Sequence, residues 1–237
     1  MHLFKQYLND IYNIFKSNWK SFLIIGFIYL LIFALLAPSF EPMVYDNLET
    51  KLETIITTKT NAEIGQFLMV SFLALLAITI VITSIHNFFV FVLVKGIAKS
   101  KFHYLEILRS NFKYFLKILL FSALKVLVIF FGILFFLIPG IYFTFIFCFA
   151  LPIMAKEDLS IISSIKRAME VFKKDWWRNI LLIVFLKVII FAAMIAFSII
   201  KINGLVMLAD LFFTTGLIYL LIYNPIKPKQ ILIKENE

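Results

Sequence analysis

The chain has 237 residues, of which one is cysteine, seven are glycine, six are proline and three are histidine. The single cysteine, Cys148, closes no intrachain disulfide, and no Cys/His cluster has metal-ligand spacing. Cys148 lies in an apolar run and reads as a buried, unreactive thiol. Charged residues make up 16% of the chain, against about 25% in a soluble domain. Seven Gly beside 29 Phe exclude collagen-like and low-complexity sequence. Nucleotide-binding glycine loops (G-x-x-x-x-G-K-[ST], G-x-G-x-x-G), the G-x-S-x-G nucleophile turn and the H-E-x-x-H zinc motif are all missing. No catalytic residues, metal or cofactor are therefore assigned, and a non-enzymatic protein is expected.

What fills the chain instead is apolar. Hydrophobic residues make up 62% and mean hydropathy is +0.99. A soluble fold of this length cannot bury so much apolar surface, because its outer layer needs polar side chains. Disorder is excluded for the opposite reason, since it requires low hydrophobicity. A spanning helix needs about 20 mostly apolar residues. Six runs qualify as candidates: 21–37, 67–94, 118–138, 141–155, 180–200 and 204–223. They are continuous rather than alternating, which speaks against barrel strands. The expected fold is all-α: one multi-pass integral membrane helix bundle over 1–237, with about six transmembrane helices plus amphipathic interfacial helices.

The fourth run is the short one, at about 22 Å for its 15 residues. Pro139 and Gly140 separate it from the third run and predict a hairpin there. That hairpin either turns at the far interface or re-enters within the bilayer.

Net charge is +9, which in a soluble protein would suggest nucleic acid. Sorted by connection, 18 basic residues fall on one side of the expected spans and three, Lys51, Lys59 and Lys201, on the other. The positive-inside rule then places both termini and both basic loops in the cytoplasm. The 38–66 loop, with Glu41, Asp46, Glu49, Glu53 and Glu63, faces outside. No nucleic-acid role is expected. The leading segment contains Asp10 and precedes too long an apolar run for a secretory signal, so an uncleaved first helix is expected.

The cytoplasmic connections carry apolar stripes at helical spacing. One is Leu3, Phe4, Tyr7, Leu8, Ile11, Phe15 and Trp19; another is Ile161, Ile162, Ile165, Ala168, Met169, Phe172 and Trp176. Phe102, Leu105, Leu108 and Phe112 form a weaker third. Beside the second stripe lie Lys166, Arg167, Lys173 and Lys174, which suit anionic headgroups at a membrane surface. Trp176 and Trp177 suit the aromatic belt. The alternative is that these stripes pack on the protein's own helices.

Ionisable residues inside spans are functional candidates, because charge in lipid is costly. Lys125, Lys187 and Asp210 qualify, with His86, beside Ser84 and Asn87, as a weaker one. His2 and His103 fall at the cytoplasmic interface, away from His86. Both lysines sit about 10 Å from the cytoplasmic ends of their expected spans, within partial reach of snorkelling. Asp210 and Lys187 form a candidate pair, with an expected axial offset of about 10–12 Å. Ala192 and Ala196 make a small-residue packing face.

The order Ile138-Pro139-Gly140-Ile141, then Pro152, then Glu157-Asp158, then the basic stretch from Ser160 to Trp177 resembles the YciC-like family of bacterial inner-membrane proteins. It is similar also to the membrane domain found beside some glycerophosphodiester phosphodiesterases. Tyr12, Phe15, Trp19, Tyr219 and Tyr223 are compatible with it, and the 38–66 loop matches least. The resemblance implies a multi-pass protein of the bacterial inner membrane and supplies no catalytic residues. Three functions stay open. The first is an envelope role in contact with anionic membrane lipid or a membrane-protein partner. The second is a small permease or transporter subunit using Lys125, Lys187 and Asp210. The third is a lipid-acting enzyme starting from His86, Ser84 and Asn87.

Overall fold

The computed structural model describes residues 2–17, 19–41, 61–98, 104–198 and 203–223. Among the described residues there are helices and no strand. The helices are α1 (His2–Ser17), α2 (Trp19–Glu41), α3 (Asn61–Ala98), α4 (Tyr104–Asn111), α5 (Phe115–Phe135), α6 (Leu137–Glu157), α7 (Ile161–Lys174), α8 (Trp176–Ser198) and α9 (Asn203–Tyr223). A 3-10 turn at Phe112–Tyr114 joins α4 to α5. Helix takes both ends of the loop expected at 38–66, since α2 runs to Glu41 and α3 starts at Asn61. Lys51, Lys59, His103, Lys201 and the lysines of the tail lie outside the described residues.

Among the described residues, three stretches are long and apolar enough to cross a membrane: Gly65–Ala98, Leu108–Phe135 and Leu137–Glu157. Leu23–Ile32 and Asp210–Tyr223 are shorter apolar stretches. The three long ones follow one another as an antiparallel meander. Ring contacts Phe72–Phe130 and Phe91–Tyr114, at 5.2 and 5.3 Å, fix the register of α3 against α5. By that register Phe136 lies level with Gln66, where α3 turns from apolar to polar sequence.

The chain reverses between α5 and α6 through one extended residue, Phe136 (φ −152°, ψ 97°). Its N–H donates to the Gly132 carbonyl at 3.0 Å, and the Gly140 N–H donates to the Phe136 carbonyl at 3.2 Å. The predicted turn at Pro139 and Gly140 is therefore corrected: both are helical, the third and fourth residues of α6. The first-turn N–H groups of a helix have no intrahelical acceptor, so proline costs little there. Gly140 is needed for proximity instead. A Cβ on Gly140 would stand 2.5 Å from the Ile133 nitrogen, and one on Gly132 would stand 2.8 Å from the Gly140 Cα. Because the turn comes earlier, the fourth apolar helix has 21 residues, about 30 Å, rather than the 15 expected.

α6 is the centre of the bundle, with Ile146, Phe147, Phe149, Ala150, Ile153, Met154 and Ala155 all buried. Against it pack Phe121 of α5, Phe89 and Phe91–Val94 of α3, and Leu217–Leu221 of α9. α7 folds back along α6. Ser164, Ala168 and Phe172, spaced by four, are its buried stripe. The Phe172 ring sits 5.8 Å from Tyr142, 6.0 Å from Phe145 and 5.8 Å from Phe149. Burial of that one ring contributes about 1.5–3 kcal/mol. Tyr7 and Ile11 of α1 are likewise buried in the bundle. The stripes expected at the headgroups thus divide. Their inner residues cover the protein's own helices, while Ile162, Trp19, Trp176 and Trp177 remain exposed.

Three residues turn the chain from α6 to α7. Asp158 adopts the left-handed conformation (φ 53°), which Asp tolerates better than most residues. Its carboxylate meets the Lys95 ammonium of α3. Lys117 of α5 donates to the Leu159 carbonyl at 2.6 Å. The Ser160 Oγ caps α7 by accepting from the Ser163 N–H at 3.2 Å. Tyr223 of α9 donates to Glu157 at 3.1 Å. Four helices are thereby tied at one level.

The glycine contact yields a direct test. Gly132→Ala and Gly140→Ala should each lower stability by about 1–3 kcal/mol, the usual cost of overpacking. Gly65→Ala, with nothing within 4 Å of its added Cβ, should not lower it and should raise it slightly, by up to about 1 kcal/mol. Thermal unfolding of detergent-solubilised protein reads the difference.

Candidate functional site

Several polar side chains lie well inside the long helices. Lys125 is ten residues from each end of α5, and Lys187 is eleven residues from each end of α8. Tyr29 lies ten residues into α2. Both lysines are therefore about 15 Å or more from either helix end. That exceeds the roughly 6 Å a lysine side chain extends, so neither ammonium snorkels to a helix terminus. The depth of about 10 Å expected from sequence is counted from the apolar cores, and α5 and α8 begin a few residues before them.

Lys187 and Asp210 meet directly across the α8–α9 hairpin. The expected axial offset of about 10–12 Å shrinks because α8 ends two residues earlier and α9 starts one residue earlier than the apolar runs. Lys187 is eleven residues before the end of α8 and Asp210 seven after the start of α9. The difference of four residues, about 6 Å, is one lysine length. Asp210 also accepts from Thr214 Oγ1 at 2.7 Å. Next to this pair, Tyr29 of α2 and the Nδ1 of His86 on α3 are hydrogen-bonded at 3.2 Å. Lys125, Asp210 and Lys187 lie within electrostatic reach of His86. The charge of Asp210 also reaches Tyr29. Five helices thus contribute to one polar cluster.

The cluster rests on a second, buried layer. Asn87 Nδ2 donates to Ser122 Oγ at 2.8 Å, and Ser122 donates to the Ile118 carbonyl at 2.8 Å. Ser84 donates to its own helix at the Ile80 carbonyl, 2.6 Å away. Ser84, His86 and Asn87 therefore bond to three different partners, and no hydrogen bond joins them into a nucleophile and base. Among the described residues, no group of three His, Cys, Asp or Glu side chains is placed to hold a metal. Cys148 is half-buried.

The basic residues of α7 lie on two flanks of its buried stripe. Lys166 and Lys173, seven apart, share one flank with exposed Ile162. Arg167 and Lys174 share the other, where Arg167 pairs with Glu170 at 3.0 Å. Lys166, Lys173 and Lys174 have no carboxylate partner among the described residues. Trp176 and Trp177 follow, with ring centroids 4.7 Å apart. Arg178 closes the turn on Asp175 at 2.8 Å. Ala192 is exposed, and the Ala196 side chain lies outside the described residues, as do those of His2 and the remaining members of the α1 stripe.

Sequence reasoning passed over Tyr29, Ser122 and Thr214, and the Lys95–Asp158 tie. Tyr29 had a signal: tyrosine favours the interface, so one at mid-span is out of place unless bonded. Ser122 and Thr214 are common in membrane helices and carry no such mark.

The fold defines an all-helical bundle with helices of membrane-crossing length and a polar cluster at their mid-depth. The chain belongs to a family of unknown function (DUF7544), whose model matches residues 20–233. No curated protein and no solved structure matches it.

The ion pair invites a double-mutant cycle. Lys187→Met and Asp210→Asn should be non-additive, with a coupling of about 0.6–1.7 kcal/mol, the range found for polar contacts between membrane helices. Refolding equilibria in mixed micelles measure it, and strict additivity removes the pair as an energetic unit.

Proposed function

We propose that the chain is a six-span protein of the bacterial inner membrane, both termini cytoplasmic, whose envelope role is non-enzymatic and tied to anionic lipid. The basic outer face of α7 carries this reading. Its stripe is already spent on α6, so its lysines are held in place facing outward rather than free to fold inward. Lys166 and Lys173 flank Ile162, and the exposed Trp176 and Trp177 extend the same region. Basic side chains beside apolar and indole surface suit a headgroup boundary. The resemblance to YciC-like proteins and the one-sided distribution of Lys and Arg support the membrane and the orientation. The level of Phe136 with Gln66 favours an α5–α6 hairpin that reaches the far interface over one that re-enters.

The expected readout is lipid retained through purification. Each neutralised lysine on the Lys166/Lys173 flank removes about 1 kcal/mol of attraction to an anionic surface, roughly fivefold in affinity. Arg167→Gln should do less, because Arg167 is already paired. Lys166→Gln with Lys173→Gln should therefore lower the ratio of anionic to zwitterionic phospholipid recovered by mass spectrometry. An unchanged ratio in the variant that also carries Arg167→Gln and Lys174→Gln ends the lipid reading.

The mid-depth cluster favours a second reading, a small permease or transporter subunit. Two lysines and an aspartate within apolar helices are costly to keep in lipid, by about 2.5–3.5 kcal/mol each on insertion scales. Ionisable groups inside spans are candidates for a solute pathway on that ground.

A further inference from the structure

We infer that the exposed face of α8 and α9 is the contact between two copies of this chain, closed at its centre by Lys187 and Asp210 of both. The inference rests on α8 and α9 spanning the membrane, as in the six-span reading above, and adds the partner they meet there.

Lys187 and Asp210 satisfy each other only in part. The side chain of Lys187 is 49% exposed and that of Asp210 27%. An ammonium has three N–H donors, and Lys187 gives one of them to Asp210. Both hydrogen bonds to Asp210, from Lys187 and from Thr214, arrive at Oδ1. Oδ2 receives none among the described residues. The basic residues of α7 do not reach it either, since the one ammonium paired with Asp210 among the described residues is that of Lys187.

The surface around the pair is apolar. Leu181, Val184, Val188 and Phe191 of α8 are all exposed. Lys187 stands eleven residues from each end of α8, too far for its side chain to reach water past a helix end. Ionisable groups within spans face protein or water rather than hydrocarbon. The pair therefore lacks a cover that offers both a donor and an acceptor at its own level. Lipid tails offer neither, and a headgroup does not reach the middle of a spanning helix. A second copy offers both. Rotation about a two-fold axis along the membrane normal keeps every residue at its own depth and both chains in the same orientation. Lys187 of each protomer then lies level with Asp210 of its partner, in a self-complementary contact. Two ammoniums and two carboxylates close a ring without net charge, and each Oδ2 gains a donor from across the axis. Leu181, Val184, Val188 and Phe191 recur at three- and four-residue spacing, the seam along which parallel helices interlock.

The test uses the full chain in liposomes of phosphatidylcholine and phosphatidylglycerol, labelled on a terminal tag with donor or acceptor dye. Energy transfer that rises with the protein-to-lipid ratio and saturates at a dimer is expected. Lys187→Met should move the midpoint to a ratio about tenfold higher. Val188→Trp leaves the ion pair untouched and adds bulk at an exposed position, so it should move the midpoint the same way even where Lys187→Met folds poorly. Leu116→Trp, on the exposed side of α5, should leave the midpoint where it was. A midpoint unchanged in either α8 variant overturns the inference, as does the absence of saturable transfer in the unaltered chain. A second measurement separates this failure from that of the spanning reading. Val188→Cys in a Cys148→Ser chain is treated with a membrane-impermeant maleimide at low protein-to-lipid ratio, where monomers prevail. Labelling places α8 in water and overturns both. No labelling together with no transfer leaves α8 in the membrane and removes the dimer alone.

Discussion

Lipid offers no hydrogen bonds, so every polar group carried into it must be satisfied by the chain itself. Most of the architecture answers that constraint. Backbone groups are closed within helices. Where the chain reverses at Phe136, the Gly132 and Phe136 carbonyls still receive the N–H groups of Phe136 and Gly140. Pro139 contributes no N–H at a position where one would have been orphaned. Side chains follow the same rule, with Ser122 and Thr144 returning their hydroxyls to carbonyls four residues earlier.

The same constraint separates two kinds of polar contact. At the basic end, Lys95, Lys117, Asp158 and Tyr223 fasten helices to one another where water is near. Ties of this kind set geometry more than stability, and they aim α7. Lys156, stacked 3.5 Å from the centre of the Tyr223 ring, joins the same fastening. At mid-depth, Tyr29, His86, Lys125, Lys187 and Asp210 have no solvent to fall back on. The Tyr29–His86 bond ties α2 to α3 there, and the Lys187–Asp210 pair ties α8 to α9.

Apolar runs made the helices legible from the sequence, because length and continuity alone distinguish a spanning helix. Depth was less legible. Lys125 and Lys187 lie deeper in their helices than in their apolar runs, because the first turns of α5 and α8 carry Lys117 and Arg178, which end an apolar run without ending a helix. The turn at Phe136 was hidden by a better-known signal. Pro139 and Gly140 mark turns in most chains, whereas here one tolerates a helix start and the other admits a neighbouring backbone. The stripe of α7 was read correctly as amphipathic, but periodicity does not say which surface it meets. That depends on Tyr142, Phe145 and Phe149, far away in sequence. The match to DUF7544 adds family membership over residues 20–233 and leaves the roles of these residues to physical argument.

The α5–α6 hairpin has one more consequence. Residues 126–155 contain no Asp, Glu, Lys, Arg or His. The two helices touch backbone to backbone at Gly132 and Gly140, so the pair is narrow at its leading edge. A hairpin of this shape entering a bilayer tip-first carries no ionised group across it and drags no hydrophilic loop behind it. Its insertion does no work against the membrane potential.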